Sequence, residues 1–147
     1  MKFYLDNCCL NRPFDDQTQY RIHLESEAVI SILRAVEEAR HQLITSEVLR
    51  LENMKNPHPE RREVIGAILD QCLIEVRMGK IQIERCQELL RMDFPVYDAF
   101  HIACAEAAGV DVFFTTDARL LARTRRNRQS LRVTVENPLQ WSSENEL

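Results

Sequence analysis

An α/β fold, a mainly parallel central sheet between two helical layers (three layers, α/β/α), is predicted by three features of this chain. Short apolar runs alternate with segments of helical periodicity along its whole length. The run Val112 to Thr116 is continuous rather than alternating, as suits a strand covered on both faces. Strands separated by helices pair in parallel through right-handed crossovers, which place helices on both sides of the sheet.

The elements follow in order. Lys2 to Leu5 is a first strand, with Asp6-Asn7 as its exit turn. Asn11 to Asp16 is a loop, marked by Pro13 and the paired Asp15-Asp16. From about Glu25 to Arg40, Ala28, Val29, Ile32, Leu33, Val36 and Ala39 recur on one face of an amphipathic helix. His41 to Thr45 is a brief second strand. Ser46 has the character of an N-cap, opening a helix through Val48, Leu49 and Leu51 to about Met54. Pro57 and Pro59 break the chain.

A helix is then expected over roughly Glu60 to Arg77, with Val64, Ile65, Ile68, Leu69, Cys72, Leu73 and Val76 on one side and Gly79 ending it. Lys80-Ile81-Gln82-Ile83 alternates and introduces a short helix from Glu84 to Arg91. After Pro95, a helix over Tyr97 to Ala108 carries few polar residues, Asp98, His101 and Glu106, and Gly109 closes it. The strand Val112 to Thr116 leads to Asp117, a short helix over Ala118 to Arg123, and a last strand from Arg132 to Val135.

Composition bounds the reading. A chain of 147 residues, 45% hydrophobic and 29% charged, suits one globular domain over residues 1–141 with a polar tail over 142–147. No stretch approaches a membrane span, and MKFYLDN meets an acid too soon for a secretion signal. The five cysteines form no CxxC pair and no zinc spacing, so they read as reduced thiols in a cytoplasmic protein. A net charge of −4 does not announce a nucleic-acid binder. Yet Arg119, Arg123, Arg125, Arg126, Arg128 and Arg132 crowd the segment after Asp117 with no acid among them. Such side chains can hold phosphates.

Four acids stand where apolar segments stop: Asp6, Glu52, Asp98 and Asp117. Carboxylates beside a core are costly unless paired or bound to a cation. Ligands in open α/β sheets bind beyond the carboxyl ends of the strands, where Asp6 and Asp117 fall directly. Glu52, two helical turns past Ser46, stays near that edge; Asp98 joins only if its helix starts there. Oxygen ligands from separate elements suit Mg²⁺ or Mn²⁺, which activates water and neutralises charge on a phosphate. Each acid also has a plainer reading: a turn for Asp6, a wet helix face for Glu52, the positive end of a helix for Asp98, a cap for Asp117. Their common location carries the argument. Asp111 precedes its strand and belongs at the opposite edge, Asp15 and Asp16 read as loop charge, and His101 reads as a hydrogen-bonded core histidine that could touch the site.

FYLDNCCLNR, ITSEVLRLE and YDAFHIACAEAAGVDVFFTTDARLL together resemble the PIN domain family, in particular toxin components of the VapC type. The resemblance spans about residues 1 to 137 and rests on helix pattern alone between Asn53 and Arg91. It implies catalytic, metal-holding roles for Asp6, Glu52, Asp98 and Asp117, with Thr115 and Asn7 in support. It also implies a Mg²⁺- or Mn²⁺-dependent endoribonuclease, often a homodimer and, in toxin pairs, silenced by an antitoxin protein. Arg119, Arg123, Arg125 and Arg126 would then grip RNA phosphates. The alternative is a non-catalytic PIN module binding RNA or protein. A phosphotransfer domain fits less well, since DNC lacks a second Asp and no adjacent acid pair lies near Asp6.

Overall fold

The computed structural model describes residues 1–147. Its strands are β1 (Lys2–Leu5), β2 (Gln42–Ser46), β3 (Ile74–Val76), β4 (Val112–Phe114) and β5 (Thr134–Glu136). They form one sheet in the order β3-β2-β1-β4-β5, and every neighbouring pair is parallel. The helices are α1 (Asn7–Asn11), α2 (Tyr20–Glu37), α3 (Glu47–Met54), α4 (Pro59–Asp70), α5 (Lys80–Arg91), α6 (Val96–Ala107), α7 (Ala118–Arg126) and α8 (Pro138–Glu144). None is long and apolar enough to cross a membrane.

The two central strands show why the sheet needs cover on both sides. Phe3, Tyr4 and Leu5 of β1 and Val112, Phe113 and Phe114 of β4 are all buried. Successive side chains leave opposite faces of a strand. Phe3 and Phe114 meet edge-on and both meet Trp141 of α8, which packs with α2. Tyr4 stacks on Phe113 at the other face, against His101 of α6. α5 and α6 pack together there. The result is the three-layer α/β/α arrangement, with β1 at its centre.

Local signals hold at several joints. Ser46 caps α3 by accepting from the Leu49 N–H at 3.1 Å, and Gly109 leaves α6 at φ +66°, a backbone conformation that suits glycine. Elsewhere the structure departs from the sequence expectation. The helix expected to reach Arg77 stops at Asp70, and Ile74–Val76 becomes the edge strand β3, paired with β2 from Ile44↔Ile74 to Ser46↔Val76. Leu73, expected on the buried helical face, is 89% exposed. Apolar residues at these positions satisfy either period, and no breaker stands between Asp70 and Gly79. Arg50 of α3 bridges both sides of the switch, pairing with Asp70 at 2.7 Å and with Glu75.

Gly79 is accordingly the N-cap of α5 rather than the stop of the preceding helix. Ile81 and Ile83 lie on that helix, both exposed. Asn7–Asn11, where only an exit turn is expected, forms α1, and the loop expected from Asn11 to Asp16 contains a 3₁₀ turn over Arg12–Phe14. α2 starts five residues early, at Tyr20, and α7 runs on to Arg126.

Candidate functional site

Asp6 stands immediately after β1 and caps α1. Its Oδ1 accepts the Asn7 N–H at 2.8 Å, and its Oδ2 accepts the Thr115 hydroxyl at 2.9 Å. The Thr115 Oγ1 also accepts the Asp117 N–H at 3.1 Å, so one buried hydroxyl sets the spacing between the exits of β1 and β4. Asp117 caps α7 with Oδ1, accepting from the N–H groups of Arg119 (2.9 Å) and Leu120 (3.2 Å). Glu52 approaches from α3. Asp98 lies in the first turn of α6, which does begin at this edge.

All four carboxylates line one cleft of roughly 470 Å³, together with Asn7, Cys8, Asn11, Lys55, Asn56 and Pro57. Burial raises the pKa of Asp6, opposed by His101 and the Thr115 bond. Burial also pushes Asp98 up to about 6, and the charges of Asp6 and Asp117 add to the rise. No Lys or Arg forms an ion pair with any of the four; Glu52 meets the imidazole of His101 instead. Lys55 lines the cleft, but its Nζ donates to the Tyr97 hydroxyl at 2.7 Å. Converging carboxylates, none in an ion pair with Lys or Arg, suit a hard divalent ion with oxygen ligands, so these residues fit Mg²⁺ or Mn²⁺.

Asn7 lines the cleft and accepts from the Asn11 amide at 3.1 Å. Arg119 is exposed in the first turn of α7, beside Asp117. The helix then carries Arg123 about 6 Å and Arg126 about 10 Å farther along its axis, at about 1.5 Å per residue. Arg125 lies near Arg128 and Arg132 in a separate depression beside β5. Asp111 sits at the opposite edge, accepting the Lys2 N–H at 2.7 Å. Asp15 is held by Arg12 and Arg61, each at 3.0 Å, and contributes nothing to the cleft.

Two residues have a larger place here than sequence reading assigned them. Cys8 donates to Asp6 Oδ2 at 3.4 Å, and its Sγ lies 3.3 Å from Thr115 Oγ1. His101 is a core histidine, 1% exposed, and its Nε2 also bonds Glu52. Its Nδ1 lies 2.6 Å from the Tyr4 hydroxyl, which lies 2.6 Å from the Ser46 hydroxyl. Burial alone would lower the His101 pKa; the Glu52 bond and the Asp6 charge outweigh it and raise it. The available signal was its position three residues after Asp98, which puts both on one helix face.

A family model described as PIN domain matches residues 3–127. No curated protein matches the chain. Among solved structures, that of VapBC-1 from nontypeable Haemophilus influenzae is similar at a TM-score of 0.58 and 13% identity, covering 94% of this chain and 98% of the other. That of VapBC2 from Rickettsia felis, bound to a DNA fragment from their promoter, is similar at a TM-score of 0.54 and 12% identity, covering 93% and 98%. At such identities the likeness is one of fold.

Proposed function

This chain belongs to the PIN domain family, and from that premise we propose that it is a Mg²⁺- or Mn²⁺-dependent endoribonuclease. The observation that carries the reading is the meeting of Asp6, Glu52, Asp98 and Asp117, from four separate elements, in one cleft where none of them is in an ion pair with Lys or Arg and Lys55 is the one basic side chain on the wall. A binding-only module would gain nothing from four carboxylates that repel phosphate.

A divalent ion held there would supply Lewis acidity and balance the charge that builds on a phosphodiester. The protein's part is placement. Thr115, the Asn7 N–H and the Cys8 thiol orient Asp6, leaving its oxygens directed by three donors. Asp117 commits Oδ1 to the start of α7 and keeps Oδ2 free of hydrogen bonds. Asp98 has no side-chain hydrogen bond and is the carboxylate most in need of a cation. Arg119 at the rim binds the phosphate next to the cleft, and Arg123, Arg125 and Arg126 hold phosphates farther along the RNA.

The protein acts in the cytoplasm in this reading, as a homodimer and as the toxin of a pair with an antitoxin protein; the fold shared with the two VapBC structures supports the pairing with an antitoxin. Single-stranded and structured RNA incubated with and without Mg²⁺ or Mn²⁺ tests the activity. Cleavage is expected only with metal, and Asp6→Asn and Asp98→Asn proteins that cut at the wild-type rate would reject it.

A further inference from the structure

Resting on that metal-centre reading, we propose that His101 is a positioning residue, holding Glu52 at the cleft through a buried relay that runs on to Tyr4 and Ser46. Glu52 is the one acid of the four on the side of a helix, away from its start, with no backbone N–H to fix it. Its side-chain partner is His101 Nε2. An ionised carboxylate only accepts hydrogen bonds, so Nε2 carries a proton and points it at Glu52. The ligand atoms of Asp6, Glu52 and His101 lie within 4.8 Å of one another, the spacing of a metal site. A protonated nitrogen cannot ligate an ion, which makes Glu52 the ligand and His101 its support.

Behind the imidazole, Nδ1, the Tyr4 hydroxyl and the Ser46 hydroxyl follow at 2.6 Å steps, and Ser46 Oγ accepts the Leu49 N–H at 3.1 Å. Phenol and serine hydroxyls both donate and accept. With Nδ1 bare, the Tyr4 hydroxyl donates to it and the Ser46 hydroxyl donates to Tyr4, so every group of the string has a partner while Nε2–H faces Glu52. Tyr4, Ser46 and His101 are each at most 1% exposed, where unmet polar groups are costly and met ones rigid. Ser46 starts α3 and Glu52 is near its end, so the relay anchors one helix at two points, through β1 and α6. A glutamate side chain otherwise loses rotamer freedom on binding an ion; the relay has already fixed it.

The experiment measures Mn²⁺ affinity, by calorimetry or by electron paramagnetic resonance of the free ion, on wild type, His101→Leu, His101→Gln and Tyr4→Phe. Supports of metal ligands typically contribute tenfold or more to affinity, so His101→Leu is expected to weaken Mn²⁺ binding by roughly tenfold. His101→Gln, which keeps an N–H donor toward Glu52, should recover most of the loss. Tyr4→Phe preserves volume and should give a smaller loss. A merely structural role would lower melting temperatures and leave the affinity of the folded proteins unchanged. Wild-type Mn²⁺ affinity in folded His101→Leu, or in Tyr4→Phe should the former not fold, overturns the relay. A wild type that binds no Mn²⁺ overturns the metal-centre reading and this role together. Nitrogen-15 NMR of the imidazole gives a readout without metal: a proton on His101 Nε2 is expected, and a bare Nε2 overturns the proposal.

Discussion

The two edges of the sheet both carry a depression, and the larger is not the one that gathers the four acids. The cavity at the amino ends of the strands, about 730 Å³, is lined by Leu33, Val36, Leu43, Ile68, Cys72 and their neighbours. Several of its charged side chains have partners: Asp111 accepts the Lys2 N–H, Lys2 Nζ donates to the Ala108 carbonyl, and Arg40 pairs with Glu38. The cleft at the carboxyl ends is smaller and holds four acids with no Lys or Arg paired to them. Uncompensated charge marks a binding site better than size does, because a fold bears that cost only where something else supplies the counter-charge.

The largest expected effects test this contrast directly. On the proposed metal-centre reading, Asp6→Asn or Asp98→Asn removes a ligand worth several kcal/mol of transition-state stabilisation, so RNA cleavage should fall by on the order of a hundredfold or more. Asp111→Asn, at the opposite edge, should leave the cleavage rate unchanged in the same assay. Comparable losses from both edges would erase the distinction.

Paired buried charge should behave in the reverse way. Arg85 donates to Glu106 at 2.7 and 3.1 Å, with Glu106 only 3% exposed. Glu106→Gln leaves the guanidinium with Glu88 as its one carboxylate partner, and urea denaturation should report a loss of about 2 kcal/mol. RNA cleavage by the folded variant should not change.

A smaller effect concerns pH without metal. Burial pushes Asp98 from its ordinary value of 3.8 to about 6, so between those values the folded state holds a proton that the unfolded chain has released. Stability is therefore lost as pH rises through this window, and the loss is complete above about pH 6. The full shift corresponds to about 3 kcal/mol; partial solvent exposure reduces the expectation to about 1–2 kcal/mol. Thermal melts of metal-free protein should show this slope, Asp98→Asn should flatten it, and saturating Mg²⁺ should offset it. A melting temperature that rises from pH 4 to pH 6 without metal would contradict the repulsive cleft.

The smallest effect should come from the arginines. Arg119→Ala, beside Asp117, should weaken RNA binding by about tenfold or less and reduce its salt dependence by roughly one phosphate contact. Arg126→Ala, about 10 Å farther along α7, should do less. Equal effects would show the two positions to be equivalent for the RNA.

Much of this architecture was written in local patterns. Alternating elements, the unbroken apolar run of β4, the Ser46 cap and the Gly109 stop each depend on residues a few positions apart, and each stands in the structure. The failure at Ile74–Val76 has the same origin. Its side chains suit a helix or a strand equally, and only the free edge of β2, with Arg50 bracketing the turn, selects the strand.

By itself, then, the sequence determined most of the strands and helices, though not α1, β3 or α8, and where acids interrupt them, because hydrophobic period and capping act over single turns. Tertiary structure alone decided that α6 starts at the edge where β1 ends, and that His101 reaches both Glu52, 49 residues away, and Tyr4, 97 residues away. Contacts at such separations follow from the direction of crossovers and the packing of whole layers, which no short window of residues encodes.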